Sequence, residues 1–152
     1  MTNPLQRSGG FTLIELAVVI GVVAILSAFA VSRINTTSFN TEGYANQVRA
    51  AVRYAQKIAI SQRRNVTVTV SAGAVSLTYP DIGNAAVHMP PGTGAFTLNK
   101  PSGIDALSGT LSGSSLTFSA LGAPTASGTI IVSGGDISPI TITVEAETGY
   151  VH

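Results

Sequence analysis

The chain has no cysteine, so no disulfide and no thiolate site can form anywhere in its 152 residues. That absence suits an oxidising or a reducing compartment equally. Charge is also scarce. Only 10% of residues are Asp, Glu, Lys or Arg, which is low for a free cytoplasmic enzyme and common among exported β-rich surface proteins. Basic residues all but vanish after position 64. Residues 1–64 hold seven Lys/Arg and two acids, whereas residues 65–152 hold Lys100 alone against five acids. Neutralising phosphates requires clustered Lys and Arg, so the acidic second part argues against a nucleic-acid face there. No H-x-x-x-H, C-x-x-C or EF-hand spacing occurs, and the two histidines, His88 and His152, are expected in a loop and at the chain end. No G-x-S-x-G elbow is present, and no carboxylate pair sits near a plausible cleft. The glycines at 92, 94, 134 and 135 lack a Walker or dinucleotide pattern and read as loop residues. The expectation is a protein without metal, cofactor or catalytic activity.

What the sequence does have is a long uncharged run, residues 16–31, with a carboxylate, Glu15, at its head. Residues 11–31 as a helix would extend about 31 Å, which matches the hydrocarbon thickness of a bilayer. No proline interrupts the run, and Gly21 is its weak point, since glycine in a helix interior costs about 1 kcal/mol relative to alanine. A carboxylate at mid-bilayer costs roughly 2.5–3.5 kcal/mol, so an ordinary anchor would avoid Glu15. Arg7 precedes the run on the side expected to face the cytoplasm. A second reading fits the same stretch: a removable secretory signal cut after Ala30, in the A-x-A sequence of residues 28–30. That reading leaves Glu15 unexplained.

Length leaves room for one modest domain beyond the anchor. Residues 32–40 are polar and read as a loosened stretch of helix. From Glu42 a helical period returns. Tyr44, Val48, Ala51, Val52, Ala55, Ile58 and Ala59 fall on one stripe, and Arg49, Arg53, Lys57 and Arg64 lie on roughly the opposite face. The helix should therefore lay a small-residue apolar side on a sheet and turn a basic side to solvent, ending at residues 63–65, where cations favour the negative end of the helix dipole. The basic side has no interleaved aromatic residues, so it reads as a solvated face, or one that meets acidic surfaces of neighbouring subunits, ahead of a nucleic-acid site. After residue 65 the period changes to two. Residues 66–71, 74–79, 115–119, 129–133 and 140–144 alternate apolar and hydroxyl side chains, as half-buried antiparallel strands do. Ala72 and Gly73 make a tight hairpin between the first two. Residues 80–114 carry four of the seven prolines and read as a long variable loop with one strand expected at 95–98. Residues 133–139 turn the last two long strands, and a short terminal segment follows Gly149.

The stretch Gly9, Gly10, Phe11, Thr12, Leu13, Ile14, Glu15, running into the apolar segment, resembles the processing site of type IV prepilins and type II secretion pseudopilins. The match is close over about twenty residues. A looser one, residues 48–152, resembles the GspH/FimT-type minor pilins: it rests on the RYAQK…RR wording of residues 53–64, the strand that follows, Leu116, Phe118 and Gly122, and the terminal Thr148, Gly149, Tyr150 and Val151. The wording is nearest to minor pilins of mannose-sensitive haemagglutinin (MSHA) type pili. The resemblance implies an α+β pilin-like fold, with a long N-terminal helix, apolar in its first half, packed on a C-terminal antiparallel sheet. Its parts would be a leader at 1–10, a membrane and filament-core helix at 11–31, an amphipathic helix at 32–64 and a β head at 65–152. It implies cleavage between Gly10 and Phe11 by a membrane-embedded prepilin peptidase, which also N-methylates Phe11, and pairing of Glu15 with the freed amino terminus of a neighbouring subunit. The implied partners are that peptidase/methyltransferase, other pilins or pseudopilins, and the bacterial inner membrane, with the head in the periplasm and later in a periplasmic or cell-surface filament. The chain departs from the DNA-uptake minor pilins, whose implied DNA contacts are basic residues near the C-terminus; residues 148–152 hold none. A competence pilin is thus the alternative, and a secreted β-rich binding domain the further one.

Overall fold

Two periodicities in the sequence become two kinds of element. The computed structural model describes residues 10–31, 36–88, 92–111, 113–135 and 137–152. The chain divides into two units, residues 1–35 and 36–152. Residues 1–9, which hold most of the expected leader, and residues 32–35 of the polar stretch lie outside the described residues.

The first unit contains α1, Leu13–Val31. Its segment Leu13–Ala30 has a mean hydropathy of 2.6 and is long enough to cross a membrane. Apolar side chains occupy every side of it: Leu13, Ile14, Leu16, Val18, Val19, Ile20, Val22 and Val23 are all exposed. A helix apolar all round needs lipid or other helices around it. The polar Ser27 is satisfied inside the helix, donating to the Val23 carbonyl at 2.7 Å.

The second unit begins with α2, Thr36–Gln62. Residues 36–40, expected to be loosened, are helical. The apolar stripe is buried as its spacing predicts, with Val48, Val52, Ala55 and Ala59 fully inaccessible and Tyr44, Ala51 and Ile58 nearly so. The helix ends two residues before the expected boundary, and its closure is geometric. Arg63 takes a φ of 50°. Its NH donates to the Ile60 carbonyl and the Arg64 NH to the Ala59 carbonyl. This is a Schellman closure with arginine where glycine is usual. Arg64 then lies over the Tyr79 ring at 5.7 Å.

The strands are β1 Val66–Val70, β2 Ala74–Tyr79, β3 Ala85–Ala86, β4 Thr97–Asn99, β5 Ser114–Phe118, β6 Gly128–Val132 and β7 Ile140–Val144. They form two antiparallel sheets. One has the order β3-β2-β1-β5 with β4 also on β2, and the other is the pair β6-β7. Proline-rich residues 80–114 are therefore less of a loop than their composition implies. A 3-10 turn, Pro80–Ile82, leads into β3, and the expected strand lies two residues later, because Ser76, Val75 and Ala74 pair with Thr97, Leu98 and Asn99, while Ala95 only bridges to His88. The second sheet gains a strand-like flank on each side. Ser108 exchanges backbone bonds with Ile131, and His152 with Thr143. Along β7, Ile142 and Val144 point into the core, leaving Thr141, Thr143 and Glu145 on the outer face. Val151 faces inward between the exposed Tyr150 and His152. The core joins the α2 stripe to the inward residues of both sheets, and each buried Val- or Leu-sized side chain contributes about 1.5–3 kcal/mol.

Candidate functional site

The head of α1 is built around Thr12. The first turn of a helix leaves backbone NH groups without intrahelical acceptors. Here Thr12 Oγ1 accepts from the Glu15 NH at 3.2 Å, and the Thr12 carbonyl accepts from the Leu16 NH at 3.2 Å. Thr12 is thus the N-cap and Glu15 the third helical residue, the spacing of a capping box. Glu15 sits in the first turn, where a negative charge is favoured by the helix dipole. Thr12 went unnoticed as a functional candidate in the sequence, although T-x-x-E before an apolar run is a readable signal.

Gly10 and Phe11 precede the cap in non-helical backbone, and the Phe11 side chain is 83% exposed. A Cβ added to Gly10 would meet nothing within 4 Å. Packing among the described residues gives no reason for glycine at that position. The three expected residues therefore sit together on one exposed helix end, with Glu15 held at a fixed place in the first turn.

On the second unit the basic face of α2 is only partly the free surface expected. Arg53 donates through its NH2 group to the Val151 carbonyl at 2.7 Å, and Arg49 donates to Asn46 Oδ1 at 3.0 Å. Lys57 is exposed beside Ala50, Arg53 and Tyr54. Gln56, not singled out from the sequence, donates from one amide nitrogen to the Gly122 carbonyl at 2.9 Å and the Thr148 carbonyl at 2.8 Å. Gly149, at φ 65°, makes this clamp possible, since a Cβ there would lie 2.6 Å from Gln56 Nε2 and 2.9 Å from the Gly122 oxygen. The terminal segment is thereby tied to α2.

The outer face near the C-terminus carries Glu145, Glu147, Thr148, Tyr150 and His152 around a shallow open depression. Tyr150 and His152 stack at 5.5 Å, and His152 Nδ1 lies 3.9 Å from Glu145 Oε1. Among the described residues no group of three or more His, Asp or Glu is placed to hold a metal ion. Burial raises the Tyr44 phenol above its ordinary value; its hydroxyl is 3.5 Å from the Leu98 carbonyl.

Comparison with known proteins bears on both units. The profile of the family described as type II transport protein GspH matches residues 44–148. The profile of the prokaryotic N-terminal methylation motif matches residues 5–31. No curated protein matches in sequence. Among solved structures, the Pseudomonas aeruginosa type IV minor pilin FimU is 14% identical with a TM-score of 0.57, covering 78% of this chain and 91% of its own. The minor pseudopilin EpsH from the type 2 secretion system of Vibrio cholerae is 11% identical with a TM-score of 0.61, covering 74% of this chain and 94% of its own. At these identities the likeness is one of fold.

Proposed function

Because the chain belongs to the GspH family and carries the prokaryotic N-terminal methylation motif, we propose that it is a structural minor pilin or pseudopilin, matured at Gly10 and Phe11 and assembled into a filament through α1. The observation that carries the proposal is the capped, exposed helix end, with Gly10 free of packing, Phe11 exposed and Glu15 fixed in the first turn. A prepilin peptidase of the inner membrane cuts the bond after Gly10 and methylates Phe11. Glycine serves there because a side chain would obstruct an extended peptide in a narrow site. The new α-ammonium at Phe11 has an ordinary pKa of about 7.7–8.0 and stands at the positive end of the α1 dipole. In an apolar filament core it requires an anion, and Glu15 of a neighbouring subunit supplies one. Two opposite charges that are each costly when alone then fix the axial register of subunits.

Before assembly α1 holds the protein in the inner membrane with the head in the periplasm. The finer placement, in a type IV pilus or in a type II secretion pseudopilus, follows from which filament proteins accompany it. The competence alternative is disfavoured by the carboxylates Glu145 and Glu147 at the C-terminal face. Glu15→Leu tests the mechanism. The segment becomes more apolar, so the membrane fraction should hold as much protein as before, while the sheared filament fraction should lose it. Wild-type amounts of Glu15→Leu in filaments beside wild-type partners would show that the carboxylate is incidental.

A further inference from the structure

One bulky apolar side chain of the second unit stands apart from the others. Among the described residues of that unit, the exposed large apolar side chains are Phe39, Ile60, Ile82, Leu121 and Tyr150. The last four gather toward the C-terminal end of α2. Gly122 lies against Ile60, Gln56 holds the Gly122 and Thr148 carbonyls, and Asp81 accepts from the Asn65 NH. Phe39, 73% exposed, is alone at the opposite end, in the first turn of the helix. That turn is held in place. Thr41 is fully buried and donates to the Gly134 carbonyl at 3.2 Å, which fixes the start of α2 on the head. Two residues earlier on a helix is nearly the opposite side, so the same contact that buries Thr41 turns Phe39 outward. Residues 36–41 carry no charge, only hydroxyl and amide groups around the ring.

A lone exposed phenylalanine on a free domain would be ordinary. This one is tethered to a helix that is apolar on every side and long enough to cross a membrane. Phe39 follows Val31, the last residue of α1, by eight positions, about 12 Å at a helical rise and at most about 29 Å fully extended. Headgroups add about 5–8 Å to each side of the hydrocarbon. Side chains of a helix lean toward its N-terminus, and for α2 that is the end joined to α1. We propose that Phe39 docks the first turn of α2 on the lipid surface, with its ring at the boundary between headgroups and acyl chains. Phenylalanine serves interfacial helices in this way, and no carboxylate in residues 36–41 opposes approach to anionic headgroups. The inference rests on α1 being a membrane anchor. It extends lipid contact to the second unit, giving the head a second point of attachment that limits its swing before assembly.

The chain has neither tryptophan nor cysteine, so single reporters can be placed in it. Full-length Phe39→Trp and Leu121→Trp are reconstituted into vesicles of phosphatidylethanolamine and phosphatidylglycerol, and vesicles with outward heads are captured through a C-terminal tag. Lipids brominated high on the acyl chain should quench the Phe39→Trp indole several-fold more than that of Leu121→Trp, and aqueous iodide should do the reverse. Because an indole itself favours interfaces, a second readout keeps the native ring. Asn40→Cys and Ala146→Cys, both at exposed positions, are labelled with a bulky impermeant maleimide. Labelling at position 40 should be several-fold slower, and adding Phe39→Ser should bring it up to the rate at 146. Iodide quenching equal at both indoles, in chains that resist carbonate extraction, would overturn the docking and leave the anchor and filament readings standing. An indole at position 39 shielded from iodide but untouched by brominated lipid would also overturn it, because protein would then be the cover. So would position 40 labelling that ignores Phe39→Ser. Chains washed from the vesicles by carbonate would overturn the docking and the anchor reading together.

Discussion

Thr12 and Glu15 divide the work at the start of α1: the threonine hydroxyl and carbonyl satisfy backbone NH groups, and the carboxylate places charge where the dipole favours it. Glu15 was read from its oddity before an apolar run; Thr12 was passed over, although the T-x-x-E spacing marks it. Gln56 and Gly149 were not, because their partners stand 66 and 92 residues from Gln56 and only the folded chain brings them together. At this scale Gly10→Val should leave a full-length, unmethylated protein in the membrane, read as an uncut band with its leader intact. A mature band beginning at Phe11 from that mutant would break the processing argument. Tyr44 gives a pH signature. Burial favours its neutral phenol, so the folded value is raised above the unfolded one near 10. Its contribution is fully present below about pH 10 and is lost as pH rises through the raised folded value. Alkaline unfolding of the head, followed by circular dichroism in detergent micelles, should therefore move to higher pH in Tyr44→Phe. An unchanged alkaline midpoint would mean that this phenol is not the group being titrated.

Among the elements, the amphipathic helix and the five longer strands were readable from their periods, since 3.6 and 2 separate cleanly where one face is buried. The short strands β3 and β4 were harder. Both borrow their order from β2: β4 was expected at 95–98 and lies at Thr97–Asn99, while the two residues of β3 carry too little pattern to be recognised beside prolines. The division into two sheets was also hidden, because alternation reports a buried face and says nothing of which strand is the neighbour. The solvated reading of α2's basic side needed amendment at Arg53, whose target is a main-chain carbonyl near the chain end, a group that every residue possesses. The face assignment itself makes a sharp comparison. Val52 is fully buried and loses about 1.5–3 kcal/mol of burial on replacement by Asp, with the further penalty of an unpaired buried charge. Set against a total stability of about 5–15 kcal/mol, Val52→Asp should unfold the head. Lys57→Asp, on the exposed side, should keep stability within about 0.5 kcal/mol. Equal loss of melting temperature in both variants would put the helix faces the wrong way round.

For the whole molecule, the structure has two units: one holds α1, apolar on every side, and the other, residues 36–152, takes in α2 with the sheets and buries its own core. The apolar character of α1 was legible from hydropathy alone, because residues 16–31 carry no charge. The head's family was legible in the wording of residues 53–64 and 148–151, and the GspH profile matches residues 44–148. Everything in this account depends on α1 staying with the head after processing. Mass spectrometry of the N-terminal peptide of the mature protein, isolated from membranes, decides that directly. The account predicts a chain beginning at N-methylated Phe11 and retaining Glu15. A chain beginning at Val31 would contradict it, for the apolar helix would then be a discarded signal and the head a secreted domain.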